Sequence, residues 1–175
     1  MPNLCDYDMR VEGKKDNVEK LLRIMKYEEP IHMYRIFSAE IYDSKKKSED
    51  VYVVSICGDC AWSVYVCMLE GNSCYYQGEP DGTSLLQLTK ELNLKIEIFS
   101  SEPGIGFQEH YFIDKGKLIV DEEADYNEFW FDEENLSKEE IEEEINRPIT
   151  DEEFKDYLSE GYFSRGGFDG EYKYV

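Results

Sequence analysis

Leu4-Cys5-Asp6-Tyr7-Asp8-Met9-Arg10-Val11-Glu12-Gly13 is the stretch on which the fold turns. Cys5, Tyr7, Met9 and Val11 make an apolar set, and Asp6, Asp8, Arg10 and Glu12 a polar one. Successive side chains of an extended chain point to opposite sides, so this alternation is a half-buried strand. Gly13 ends it and the period changes. From Asp16 or Asn17, either a suitable N-cap, Val18, Leu21, Leu22 and Met25 follow one helical stripe that stops before Pro30.

Working outward, Ile31 to Asp43 reads as a long strand, with Met33, Arg35, Phe37, Ala39 and Ile41 on one side. Asp43 to Asp50 reads as a polar loop, and the β-branched run Val51 to Cys57 as a central strand. Cys60 to Cys74 suits a strand through Trp62, Val64, Val66 and Met68, or a helix through Trp62, Tyr65 and Leu69. Thr83 or Ser84 caps a helix with Leu85, Leu88 and Leu92 inward, and Leu94, Ile96 and Ile98 alternate as a strand. Glu102-Pro103-Gly104-Ile105-Gly106 turns the chain into a hairpin of Phe107 to Ile113 and Lys117 to Val120. Strand, helix, strand, strand, helix, strand is the order of an α+β, ferredoxin-like split βαβ fold, an antiparallel sheet with both helices on one face. An extra hairpin follows.

The chain has 175 residues, 19 of them basic and 40 acidic, for a formal net charge of −21. Residues 121–160 hold 18 acidic and 3 basic side chains, most of the imbalance. Two capping boxes lie within them: Ser137 with Glu140, flanked by Leu136 and Ile141, and Thr150 with Glu153, flanked by Ile149 and Phe154. A solvating tail has no use for capped helices. The expected organisation is therefore a domain over residues 1–121 and a folded, acidic, partly helical appendage over 122–175.

The charge also bears on partners. Phosphate backbones are bound by Lys and Arg that release counterions, and anionic membranes attract basic segments, so nucleic acid and membrane surfaces are not expected partners. No stretch approaches the ~20 apolar residues of a membrane helix. Met1-Pro2-Asn3-Leu4-Cys5-Asp6 lacks the basic and apolar regions of a signal peptide. Five cysteines without an export signal are expected as free thiols in a cytoplasmic protein.

Three blocks stand out together: Met1-Pro2-Asn3 leading into a strand that ends at Gly13, Cys60-Ala61-Trp62-Ser63, and Glu102-Pro103-Gly104-Ile105-Gly106-Phe107 before a hairpin. In this order the chain resembles the YubB-type ferredoxin-like family of phage, plasmid and mobile-element proteins, over about residues 1–121. The resemblance implies that fold and a bacterial or phage origin, and no activity. Leu4-Cys5-Asp6 departs from the commonest form of the family, which has Trp and Asn near the start.

Candidate chemistry is sparse. Cys57-Gly58-Asp59-Cys60 has redox spacing, but it ends a β-run, and a reactive dithiol needs its first Cys at a helix N-terminus. Cys57, Cys60, Cys67 and Cys74 offer C-x2-C-x6-C-x6-C, of which only the first pair has zinc-site spacing. No cofactor or bound metal is expected. Gly104 and Gly106 precede a strand, so they make a turn and not a phosphate cradle. Glu109 and His110 are adjacent, hence on opposite faces of a strand. Large aromatics cluster near Trp62, Tyr65, Tyr75 and Tyr76, and again at Phe129, Trp130 and Phe131. The expected function is a non-enzymatic module that binds another protein, including one with a basic nucleic-acid groove, as an anti-defence inhibitor that mimics nucleic acid would. Its contact residues would be Glu139, Glu140, Glu142, Glu143, Glu144, Trp62, Tyr75, Tyr76 and Trp130. The alternative is a metal-dependent hydrolase with clustered carboxylates.

Overall fold

A computed structural model describes residues 3–69, 81–130 and 137–175. These residues form an α+β protein with seven strands in one curled, half-barrel antiparallel sheet and five helices. The elements are β1 (Leu4–Lys14), α1 (Lys15–Met25), β2 (Glu40–Lys46), β3 (Val51–Ala61), α2 (Val64–Met68), α3 (Leu85–Glu91), β4 (Lys95–Glu102), β5 (Phe107–Asp114), β6 (Lys117–Trp130), α4 (Lys138–Ile145), α5 (Asp151–Glu160) and β7 (Tyr162–Gly166). The strand order is β2-β3-β1-β4-β5-β6-β7. β1 is flanked antiparallel by β3 and β4, with Met9 opposite Ile56 and Ile98.

The alternation of β1 becomes two faces of the sheet. On the inner face Cys5, Tyr7, Met9 and Val11 are buried, with Ile56 and Cys60 from β3, Ile96 and Ile98 from β4, and Tyr111 and Ile113 from β5. Val18, Leu21, Ile24 and Met25 of α1, Val64 and Met68 of α2, and Leu85 and Leu88 of α3 join the same core. Gly58 lets the chain at Ser38 cross this face. A Cβ there would stand 2.1 Å from the Ser38 carbonyl oxygen, which accepts a 2.6 Å hydrogen bond from Tyr7.

On the outer face the last residues of the chain lie across the strands. Tyr174 stacks on Phe112 with centroids 4.6 Å apart, Tyr172 meets Phe99 edge-on at 5.3 Å, and the Arg10 guanidinium sits 4.3 Å from the Tyr172 ring centre. Glu97, wholly buried beneath this strap, accepts hydrogen bonds from the backbone N–H groups of Lys173, Tyr174 and Val175 and faces Nε2 of His110 at 3.1 Å.

Four expectations need correction. Residues 31–39 are not a strand: Met33, Ile36 and Ala39 are buried at a spacing of three while Arg35 and Phe37 are exposed. Arg35 has φ 67°, and isolated bridges at His32 and Ile36 replace a ladder. The strand lies in β2, partly within the stretch read as a polar loop, because a fully exposed edge strand has no need of apolar residues. Neither Asp16 nor Asn17 caps α1; Lys14 stands at that position, and the Asn17 amide donates instead to the Leu92 carbonyl at 2.7 Å. Finally, β6 does not stop near Val120 but runs through the acidic residues to Trp130; its middle stretch, residues 121–128, is mostly polar on both faces and so gives no hydrophobic alternation to read. Residues 121 and 122 therefore sit inside one strand.

The capping boxes are present at both Ser137–Glu140 and Thr150–Glu153, and Gly161 ends α5 in the left-handed region at φ 77°. Ile141, Ile149 and Phe163 form a second, small core with Phe129, Phe154 and Tyr157 packed around it. Leu136 lies outside the described residues. No helix among those described is long and apolar enough to cross a membrane.

Candidate functional site

Two surfaces hold the residues singled out by sequence. The first is the acidic face of α4. Glu139, Glu140, Glu143 and Glu144 are exposed, while Glu142 turns back to accept the Ile149 N–H at 3.0 Å. Glu140 closes its capping box, and its hydrogen bonds from the Ser137 backbone and hydroxyl hold its carboxyl below the usual range. Glu140, Glu143 and Glu144 share a shallow depression with Phe163. Trp130 is 71% exposed and packs against Tyr162 at 4.9 Å, whereas Phe129 is stacked on Phe163. Aromatic exposure thus divides between neighbours, as expected where a strand alternates faces.

The second surface is a cleft of about 340 Å³ beside the start of α2. Trp62, Ser63 and Tyr65 come from the turn into α2, Ile105 and Phe107 from the β4–β5 turn, Glu109 and Tyr111 from β5, and Asp121 and Glu123 from β6. Trp62 holds φ 65°, an uncommon region for a bulky side chain and one often kept for function, and its N–H donates to the Asn3 carbonyl at 2.8 Å. Gly106, at φ 92°, makes the neighbouring turn. Sequence reasoning singled out Trp62 here but passed over Glu109, Asp121 and Glu123 as a cleft wall. Their signal was available, because Glu109 and Glu123 lie two residues from Tyr111 and Asp121 on paired strands, but it requires the β5–β6 register.

Glu109 is buried and accepts hydrogen bonds from the N–H groups of Val64 (2.8 Å) and Tyr65 (3.2 Å) and from the hydroxyls of Ser100 (2.6 Å) and Tyr111 (3.0 Å). Burial, then the charge of Glu109, pushes the Tyr111 hydroxyl well above its ordinary range. His110 is on the opposite face, as adjacency requires, between Glu97 and Glu122.

The cysteines regroup. Cys57 pairs with Asp8 in register and Cys60 with Cys5, so residues 57 and 60 face opposite sides of β3 and form no dithiol. Cys60 instead hydrogen-bonds with Cys5 and Cys67, which together with burial hold its thiol far above the usual range. Cys74, Tyr75 and Tyr76 lie outside the described residues. Among the described residues, no group of three or more His, Cys, Asp or Glu side chains is arranged to hold a metal ion.

Asp6 and Asp59 face each other across β1 and β3. Burial, then the hydrogen bond and charge of Asp59, pushes the Asp6 carboxyl up to about 6. A raised acid stabilises the fold while protonated and loses that contribution as pH rises through the folded value. The melting temperature of Asp6→Asn is expected to exceed that of the parent at pH 8, the gap closing as pH falls from about 6 and vanishing only below about pH 4, the ordinary carboxylate value, as read by thermal denaturation across that range. Parallel melting curves at all pH values would count against a shared proton.

No family model matches the chain. No curated protein matches it, and no solved structure does either.

Proposed function

We propose that the protein is a non-enzymatic binding module of phage or mobile-element type, which engages a basic surface of a partner protein through α4 and its surroundings. Residues 1–121 are read as a relative of the YubB-type ferredoxin-like family. The order β2-β3-β1-β4, antiparallel throughout, and the meeting of Asn3, Trp62 and Phe107 at one end of the sheet support that reading.

One observation carries the binding function: Glu139, Glu140, Glu143 and Glu144 are exposed on a helix fixed by a capping box and anchored through buried Ile141. Fixed charge of one sign steers a complementary partner at little cost in ordering, whereas a flexible acidic tail must give up conformational freedom on binding. Trp130 supplies an exposed ring of the kind enriched at interface centres. Phosphate backbones, repelled by the same charge, are not proposed partners.

The test begins with affinity capture of the partner, followed by kinetics against it. Glu139→Gln, Glu143→Gln and Glu144→Gln combined should slow association by about 10-fold at low salt. The difference should shrink as the Debye length falls from ~10 Å at 0.1 M to ~3 Å at 1 M salt. An unchanged on-rate with unchanged salt dependence would remove α4 as the contact.

A further inference from the structure

We propose that the inner-face cleft binds an organic cation, an ammonium or guanidinium on a short apolar stem. This goes beyond the α4 reading and rests on it only in expecting a basic ligand. Three features of the cleft converge.

The first is uncompensated charge. Glu109 lies directly opposite Glu123 across β5 and β6, and Tyr111 opposite Asp121, so three carboxylates share one wall. Like charges directly opposed across strands are destabilising. Glu109 is only 3% exposed, and its four hydrogen bonds come from neutral donors. Among the described residues, no Lys, Arg or His forms an ion pair with Glu109, Asp121 or Glu123. A cation in the cleft removes that repulsion.

The second is the rest of the lining. Trp62, Tyr65 and Tyr111 present aromatic rings to the same space, and Tyr65 and Tyr111 are stacked with centroids 6.2 Å apart. Ring faces attract cations, and the aromatic surface covers an apolar stem that a hydrated metal ion lacks. Trp62 already attracts one such group within the chain, the Arg35 guanidinium 5.4 Å from its ring centre.

The third is size. About 340 Å³ is at the small end of ligand pockets, suited to one alkylammonium or arginine side chain and not to a nucleotide. Phosphates and carboxylates are excluded by sign.

The chemistry has two sources, a free amine or a Lys or Arg side chain of a peptide, and the experiment separates them. In a Trp130→Phe background the remaining Trp62 reports on the cleft by fluorescence. Agmatine is titrated as the free cation, and acetyl-Gly-Ser-Arg-Ser-Gly-amide as the peptide, with its norleucine counterpart as control. We expect saturable quenching with a Kd below ~1 mM, weaker at high salt. Binding of agmatine alone assigns the cleft to small amines; binding of the Arg peptide assigns it to protein side chains.

Asp121→Asn with Glu123→Gln should weaken binding by about 10-fold, from the loss of two charges that remain partly screened. Both residues are exposed and their removal relieves repulsion, so this variant should melt no lower than the parent. Trp62→Leu, which removes the reporter and is therefore read by titration calorimetry, should weaken binding as well. The α4 Gln variants should leave agmatine or peptide binding unchanged. No saturable quenching by either probe up to ~10 mM, or a calorimetric affinity indifferent to both the β6 and Trp62 variants, overturns the cleft assignment. Neither result bears on α4: a partner whose on-rate ignores the α4 variants overturns that reading alone.

Discussion

Glu97→Ala is expected to lower the melting temperature by about 10 °C, which for a chain of this size corresponds to ~3–5 kcal/mol. Glu97 is fully buried, and its carboxylate gathers three consecutive backbone N–H groups, those of Lys173, Tyr174 and Val175, at 2.8 to 3.1 Å. It also faces the His110 ring. Truncation leaves all of these donors without an acceptor, each costing ~1–3 kcal/mol if it stays buried. The chain can limit that cost by releasing the strap to water, which exposes Tyr172 and Tyr174 and gives up their stacking on Phe99 and Phe112. Either course is measurable. Differential scanning calorimetry reads the loss, and amide exchange at residues 172–175 shows whether the strap has lifted. Glu97→Gln, which offers one oxygen and an unwanted donor, should fall between the two. A melting point within 1–2 °C of the parent, with the strap amides still protected, would show that the carboxylate is not what holds it.

Glu109→Ala should be comparably severe, about 10 °C, through a different element. A helix start leaves its first N–H groups without partners in the helix. In α2 the Ser63 hydroxyl takes the Val66 N–H at 3.1 Å, and Glu109, forty-five residues on from Val64, takes those of Val64 and Tyr65. The same carboxylate satisfies Ser100 and Tyr111. Its removal should unfix the start of α2 together with Trp62, so rapid exchange at Val64 and Tyr65 and a shifted Trp62 emission should accompany the lower melting point. Glu109→Gln preserves an acceptor for one pair of donors and should recover part of the loss. If Glu109→Ala melts with the parent, α2 is held by the apolar packing of Val64 and Met68 alone.

Both carboxylates were visible in the sequence and neither was assigned a structural role there. Glu109 could be placed on the face opposite His110, because adjacency in a strand decides that much. Its partners come from α2, β4 and β5, and no local spacing reports them. Asp121 and Glu123 counted in the sequence only as the first carboxylates of the acidic stretch 121–160. β6 places them on the inner side of the sheet, where β5 brings aromatic side chains beside them. The close spacing of Cys57 and Cys60 does not bring them to one face. An odd separation along β3 sends Cys57 to the outer face, while Cys5, fifty-five residues before Cys60, arrives beside it through strand pairing.

What the sequence determined alone was whatever depends on neighbours within one or two turns of chain. Alternation defined β1, β4 and β5, helical stripes defined α1 and α3, and side-chain oxygens three residues before a carboxylate defined the starts of α4 and α5. Net charge set which partners are repelled. Only the tertiary structure decided the course of residues 31–39, where burial recurs every third residue because a loop crosses the sheet at Gly58. It also decided the length of β6, whose polar and largely exposed residues are held by backbone pairing with β5 and β7, and the strap over Glu97. Those features rest on contacts between residues tens of positions apart, and a backbone hydrogen bond or a buried charge leaves no period in the sequence to read.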